Sequence, residues 1–174
     1  DNGPCGPDTE MFYDVTGKLN KGMTHQEYLD ADDKQQVVEI WNDVFMEYLK
    51  EGGKVTGKLK SQNVDTGSGL ERVTMVSQGK DNIFATDMFT DMMRIIKEGA
   101  TSYDERAARI VADHIRTSVM LIADGVTPSN TDQGYILRRL LRRAVRYADV
   151  LGLSSGFTAL IEQVAVNYQG VYDN

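Results

Sequence analysis

The sequence predicts an α+β protein in two consecutive parts, a sheet-forming first half and an all-helical second half. Three observations carry that expectation. Turn signals crowd the first eighty residues, at Gly3-Pro4, Gly6-Pro7, Gly17, Gly52-Gly53 and Gly57. From Asp87 onward, apolar residues recur at helical spacing almost without a break. The basic residues also segregate: all nine lysines precede residue 100, and every arginine except Arg72 and Arg94 follows it.

Taken in order, Glu10–Val15 and Val37–Tyr48 are the expected strands of the first half. Val38, Ile40, Trp41 and Phe45 suit a sheet, although the second stretch also reads as a helix. Asn20–Asp33 is polar and reads as a loop with a short helix near Gln26–Leu29. Asn63–Thr66 is extended and runs into Gly67-Ser68-Gly69, after which Leu70–Gln78 has helical spacing. The second half begins with Asp87–Gly99, where Met88, Met92, Ile95 and Ile96 share a face. Asp104–Asp124 follows, striped by Ala108, Val111, Ala112, Ile115, Val119 and Ile122. Thr127-Pro128-Ser129-Asn130 breaks the pattern and is expected to cap a helix from Asp132 to Leu151. Gly156 precedes a last helix that runs to about Tyr168, and the two parts meet near residues 79–86.

Composition excludes several classes. With 174 residues, 41% hydrophobic and 26% charged, the chain has a globular mix rather than a disordered one. No apolar run approaches the roughly 20 residues a membrane span needs. One cysteine, Cys5, permits no internal disulfide and fits a reducing cytoplasm. One Cys with two His, His25 and His114, argues against a Cys/His zinc site, and no metal ligands are assigned. The start, Asp1-Asn2-Gly3-Pro4, has no initiator Met and no signal-peptide pattern, so the chain reads as an internal piece of something longer.

Two constellations carry chemistry. Arg138, Arg139, Arg142, Arg143 and Arg146 fall on one helix. At about 100° per residue they fit within an arc of roughly 140°, with Leu137, Leu140, Leu141, Ala144, Val145 and Ala148 opposite. A solvated, ion-paired face is the alternative, but no acid interleaves at i±4, which favours an anion-binding face such as one for a nucleic-acid backbone. The second constellation is Val64-Asp65-Thr66-Gly67-Ser68-Gly69-Leu70-Glu71-Arg72. Its glycines let a ligand approach the backbone closely, its arginine suits a phosphate, and its aspartate suits an ammonium group. It lacks the third glycine of a dinucleotide fingerprint and the Lys-Ser/Thr of a P-loop.

Asn63–Arg72 (NVDTGSGLER) resembles the third signature motif of class II aminoacyl-tRNA synthetases, in the form found in the alanyl-tRNA synthetase family. Gly3–Glu10 (GPCGPDTE) and Glu39–Phe45 (EIWNDVF) resemble two further segments of that family. So do Arg109–Arg116 (RIVADHIR), Leu121–Asn130 (LIADGVTPSN) and Gly134–Arg146 (GYILRRLLRRAVR), in the same order. The resemblance covers essentially the whole chain. It implies that residues 1–82 are the end of a class II aminoacylation domain, with its antiparallel sheet, and that 83–174 are the incomplete start of a helical tRNA-recognition domain.

By that resemblance the parent protein is an alanine–tRNA ligase. It would use ATP, with Mg2+, to make alanyl-adenylate, and would pass the alanyl group to the 3′ end of tRNA(Ala). Arg72 and Asp65 are the implied catalytic residues: Arg72 on the ATP phosphates, Asp65 on the alanine ammonium group. Asn42 and Gly67 would join Asp65 at alanine; Gly67, Gly69 and Glu10 would join Arg72 at ATP. Trp41 and Phe45 are expected as pocket wall and core. Asn130 would read the G·U pair of the acceptor stem, and Arg138, Arg139, Arg142, Arg143 and Arg146 would hold its phosphates and riboses, some of them bracing helices through Asp113 or Asp124. Reading such a pair from the minor groove fits RNA, whose deep major groove is closed to side chains. Cys5 is expected to be structural, His114 packed or hydrogen-bonded, and Met88, Met92, Met93 and Met120 core filler.

The sequence departs from the family at Asp8 (usually Cys), Ser68 (usually Met) and Gln133 (often Arg). The first two class II motifs are expected before residue 1, and a zinc-bearing editing domain and an oligomerisation region after residue 174. The piece alone is therefore expected to be inactive, and a non-catalytic tRNA-binding module is the alternative reading.

Overall fold

The computed structural model describes residues 2–20 and 22–172, in two compact units that divide between Thr86 and Asp87.

In the first unit everything is organised on one long strand. β1 (Gly3–Cys5), β2 (Asp8–Asp14), β3 (Val37–Glu51) and β4 (Lys54–Ser68) form an antiparallel sheet with β3 in the middle. β1 and β2 pair in succession along one edge of β3, opposite Tyr48–Lys50 and Val37–Val44 respectively, and β4 takes the other edge. The β-branched and aromatic content of Val37–Phe45 therefore resolves to strand, as pairing on both edges requires. The expected four-residue extended stretch at Asn63–Thr66 is the end of a fifteen-residue β4. Its beginning is rich in Lys, Gly and Thr and carries little apolar alternation, which hid it from a pattern reading.

Two glycine devices make this sheet possible. Gly52 and Gly53 have φ of 56° and 80°, and they join Glu51 to its partner Lys54 in a two-residue hairpin. That double left-handed geometry matches the twist of the flanking strands. Between β1 and β2 the chain kinks at Gly6-Pro7 while staying against β3, and Phe45 N donates to Pro7 O at 2.9 Å. A Cβ on Gly6 would fall 1.6 Å from the Phe45 carbonyl oxygen. The loop after β2 holds α1 (His25–Asp33), longer than expected and opened by a capping box. In it Thr24 N donates to Glu27 Oε2 at 2.7 Å and Glu27 N to Thr24 Oγ1 at 3.3 Å. α2 (Leu70–Ser77) follows β4 and buries Met75, and a 3-10 turn at Ile83–Ala85 ends the unit.

The second unit is helical: α3 (Thr90–Gly99), α4 (Glu105–Ala123), α5 (Asp132–Leu151) and α6 (Thr158–Tyr168). Its core is Phe89, Met92, Ile96, Val111, Ile115, Leu137, Leu151, Leu160 and Val164, all at 3% exposure or less. Burial of each contributes roughly 1.5–3 kcal/mol. Ala107, Ala108 and Ala112 on α4, with Ala144 and Ala148 on α5, are buried and let the two long helices pack closely. Arg116 lies with its guanidinium 5.0 Å from the Phe89 ring and donates to the Tyr168 hydroxyl at 2.7 Å. His114 is buried and bonds Asp113 through Nδ1 at 2.8 Å, the packed helix residue expected. Two expected core residues are not: Ile122 is 51% exposed in the last turn of α4, and Val145 is 51% exposed on α5. Val145 falls at the margin of the apolar arc, beside Arg138 in projection. The N-cap of α5 is Thr131, one residue past the expected Thr127–Asn130 cap, and its side chain makes no capping bond.

Tyr103 donates to Glu105 Oε2 at 2.7 Å. Tyr103 is 40% exposed, and partial desolvation of its hydroxyl, with that hydrogen bond next, pushes its phenol up to about 12 from the ordinary value near 10.0. The raised value stabilises the fold below the unfolded pKa, and that contribution fades as pH rises through the folded one. An absorbance titration should show a late phenolate step that Tyr103→Phe removes; superimposable curves would contradict the shift. A second expectation concerns Gly6→Ala. Because the clash is with backbone, the first unit should lose at least about 2 kcal/mol in urea unfolding; a near-neutral result would mean β1 and β2 do not pass so close to β3.

Candidate functional site

Each unit places expected site residues together, and each is taken by itself. In the sheet, the register does the placing. Asn42 of β3 stands opposite Glu10 of β2 on one side and Gly67 of β4 on the other. Val44, two residues on, stands between Asp8 and Asp65. Alternate residues of a strand share a face, and directly paired residues share it across strands. Glu10, Asn42, Gly67, Asp8 and Asp65 therefore lie on one face, with Asp65 diagonal to Asn42 at about 7–8 Å. Nothing lies within 4 Å of the direction a Gly67 side chain would take, so the backbone there is open to a ligand. Asp65, Gly67 and Glu10 are exposed and Asn42 is half-buried.

Arg72 sits in the first turn of α2, and Gly69 precedes that helix as its N-cap. A Cβ on Gly69 would come within 3.2 Å of the Arg72 side chain, so the glycine leaves room for that side chain to cross. Arg72 Nη1 donates to the Glu39 carbonyl at 2.8 Å and lies 3.5 Å from the Glu39 carboxylate. The guanidinium carries five N–H donors, so this anchor steadies it while leaving donors for an anion. Trp41 and Phe45 require a correction. They alternate with Asn42 and lie on the opposite face, Trp41 donating to Thr66 Oγ1 at 2.6 Å and Phe45 standing 45% exposed. They do not wall the Asn42–Asp65 face, because one residue of offset on a strand reverses the side. Cys5 is half-buried in β1, paired with Tyr48 of β3.

In the helical unit, Arg138, Arg139, Arg142, Arg143 and Arg146 are all exposed on α5, while Gly134, Leu137, Ala144, Ala148 and Leu151 are buried on its other side. None of the five makes an ion pair among the described residues, so bracing through Asp113 or Asp124 is not observed. Arg139 and Arg143 instead lie 5.7 Å from the rings of Tyr135 and Tyr147, one turn away on the same helix. Arg138 Nη1 donates to the side-chain oxygen of Asn130, which precedes the helix. Among the described residues no group of three or more His, Cys, Asp or Glu side chains could hold a metal ion, and no helix is long and apolar enough to cross a membrane.

A family profile described as "tRNA synthetases class II (A)" matches residues 1–174. The chain belongs to that family. It is 41% identical over 159 residues to an alanine–tRNA ligase of Shewanella loihica, covering 90% of this chain and 18% of the relative. It is 41% identical over 175 residues to the alanine–tRNA ligase of Pseudoalteromonas translucida, covering 97% of this chain and 20% of the relative. The chain thus spans about a fifth of the length of these relatives. Its α+β architecture, an antiparallel sheet followed by helices, is consistent with such a class II piece.

Three residues escaped the sequence reading. Asp8 was seen only as a departure, although once β2 is known to begin there its two-residue offset from Glu10 puts it on the site face. Tyr135 is 45% exposed and projects amid the arginines, as its position three before Arg138 allows. Gly134 is buried in the first turn of α5. Its signal was a glycine inside a helix, which costs about 1 kcal/mol against Ala unless something needs the space. Because the arginines lack acidic partners, Arg142→Gln and Arg146→Gln should each change stability by less than about 0.5 kcal/mol in thermal or urea unfolding. A larger loss would reveal a bracing role.

Proposed function

We propose that this chain carries part of the alanine-activating site and the beginning of the acceptor-stem-binding surface of an alanine–tRNA ligase working in the cytoplasm. In the first reaction an alanine carboxylate oxygen attacks the α-phosphorus of ATP. The bond to the bridging oxygen breaks, pyrophosphate leaves, and alanyl-adenylate remains. In the second, a hydroxyl of the 3′-terminal ribose of tRNA(Ala) attacks the carbonyl carbon and AMP leaves. Neither step needs a covalent bond to the protein, so the residues work by placing groups and balancing charge.

The observation that carries this reading is the row Glu10–Asn42–Gly67 with Asp65 diagonal to it. Asp65 supplies a carboxylate for the alanine ammonium group, and Asn42 a neutral polar partner beside it. Gly67 and Gly69 let the nucleotide lie against the backbone, and Arg72, anchored on Glu39, turns its remaining donors to the phosphates. Glu10 borders the nucleotide end. An acidic face repels a bare triphosphate, and Mg2+ arriving with ATP offsets that repulsion. In the helical unit, the arginines of α5, which make no ion pair among the described residues, supply contacts to phosphate and ribose, and Asn130 at the start of that face reads the G·U pair.

ATP–pyrophosphate exchange by the full-length ligase tests the activation half. Asp65→Asn should raise the KM for alanine roughly tenfold or more while leaving that for ATP nearly unchanged, the expected effect of losing one charge-assisted contact. Gly67→Ala should depress exchange without loosening the sheet, since the added methyl points into open space. An unchanged alanine KM in Asp65→Asn would remove Asp65 from the site. Full-length protein that binds tRNA but never exchanges would point instead to a non-catalytic binding module. The 174-residue chain by itself is expected to give no exchange.

A further inference from the structure

Telling one base pair from another requires a side chain held to within about 0.5 Å, and Asn130 sits in a loop. The structure around it is nonetheless tightly determined. Gly134 packs beneath the loop: a Cβ there would fall 2.3 Å from Ser129 Oγ and 2.5 Å from the Thr127 carbonyl oxygen. Thr127 O is backbone, so no rotamer change relieves the second clash, and any side chain at 134 would lift the loop. Three hydrogen bonds fasten it down. Ser129 N donates to Gly134 O at 3.0 Å, Ser129 Oγ donates to Thr131 O at 2.8 Å, and Thr131 N donates to Ser129 Oγ at 3.3 Å. Asp132 turns the chain into α5 with φ of 49°, a left-handed conformation that Asp tolerates better than most residues.

Arg138 completes the arrangement. It lies one turn beyond Gly134, and its Nη1 donates to Asn130 Oδ1. The carboxamide oxygen is thereby occupied, and the Nδ2 amino group makes no hydrogen bond among the described residues. That contact sets the amide one way round, with its oxygen to Arg138 and its Nδ2 donors uncommitted. Among the described residues, Arg139, Arg142, Arg143 and Arg146 make no such hydrogen bond with the loop.

We propose that Gly134 and Arg138 are positioning residues for Asn130, setting the placement and orientation of its carboxamide, and that Arg138 acts on specificity through Asn130 rather than as one more phosphate clamp. This rests on the reading of Asn130 as the residue that meets the acceptor-stem base pair.

The test uses the full-length ligase and two acceptor-stem minihelices that differ only in G·U or G·C at the recognised pair. Alanylation kcat/KM is measured on both for Asn130→Ala, Arg138→Met, Gly134→Ala and Arg142→Met, with salt dependence of binding. ATP–pyrophosphate exchange, which needs no RNA, reports whether each variant is intact. Arg138→Met and Gly134→Ala should lower the G·U-to-G·C ratio about tenfold or more, as Asn130→Ala does, with exchange preserved. Arg142→Met should weaken both RNAs alike and reduce the salt slope by about one, with the ratio unchanged. If Gly134→Ala fails to fold, Arg138→Met, at an exposed position, still decides. Arg138→Met behaving like Arg142→Met would overturn the proposal. An unchanged ratio in Arg138→Met and Gly134→Ala alongside a collapsed ratio in Asn130→Ala would overturn the positioning and leave the reading of Asn130 standing. An unchanged ratio in Asn130→Ala would overturn that reading, and the proposal with it.

Discussion

The register of β3 is the constraint on which the first unit depends. Its fifteen residues are paired on both edges, to β1 and β2 on one and to β4 on the other. A slip of one residue on any of these edges would send every side chain of the slipped strand to the other face. Glu10 and Asp65 meet on the side of Asn42 only because two separate pairings, β2 with β3 and β3 with β4, agree. The bulge between Met11 and Phe12 confines its irregularity to the far side of Glu10, so the stretch from Asp8 to Met11 stays in phase. Gly6 and the Gly52-Gly53 hairpin serve the same end, the first by letting the chain hug β3 and the second by returning it in fixed register.

The helical unit solves a different problem by different means. A helix face presents its side chains without any need for register, so five arginines gather on α5 simply from their spacing and from the burial of Leu137, Ala144 and Ala148 behind them. What a helix does not provide is a fixed point off its own axis. The loop before α5 supplies one by packing onto a glycine and by accepting a bond from Arg138. The cost of a glycine in a helix is small beside the cost of a loop residue that wanders.

This contrast explains what the sequence disclosed. The helices and the arginine face were legible because period and spacing act locally, within one element. The glycine–aspartate–arginine segment was legible as a motif, and its resemblance named the partners. The opposition of Glu10 to Asn42, and of Asn42 to Gly67, joins residues more than twenty apart in sequence and depends on pairing that no local pattern encodes. Trp41 and Phe45 show the same dependence: the resemblance implied pocket wall and core, whereas strand alternation assigns them to the face opposite Asn42. Val145 and Ile122 were misplaced more mildly, since a stripe drawn from periodicity has no knowledge of where the neighbouring helix ends.

Charge follows the same division. The first unit carries a net charge of −6 and the second −1, yet the second holds the arginine face, because its acids lie elsewhere on the unit. At physiological salt, fields decay over roughly 8 Å, so a ligand feels the local face and not the sum. An acidic sheet face with Asp8, Glu10 and Asp65 on one side of the strands favours a small cation such as an amino acid's ammonium group and does nothing to attract a polyanion. An exposed helix whose guanidinium groups pair with no carboxylate among the described residues does the reverse. Asp8 adds a third carboxylate to the sheet face and sharpens that separation. Two ligands of opposite local charge can thus be sorted by one acidic chain, because each face is defined by the pairing or packing of its own element.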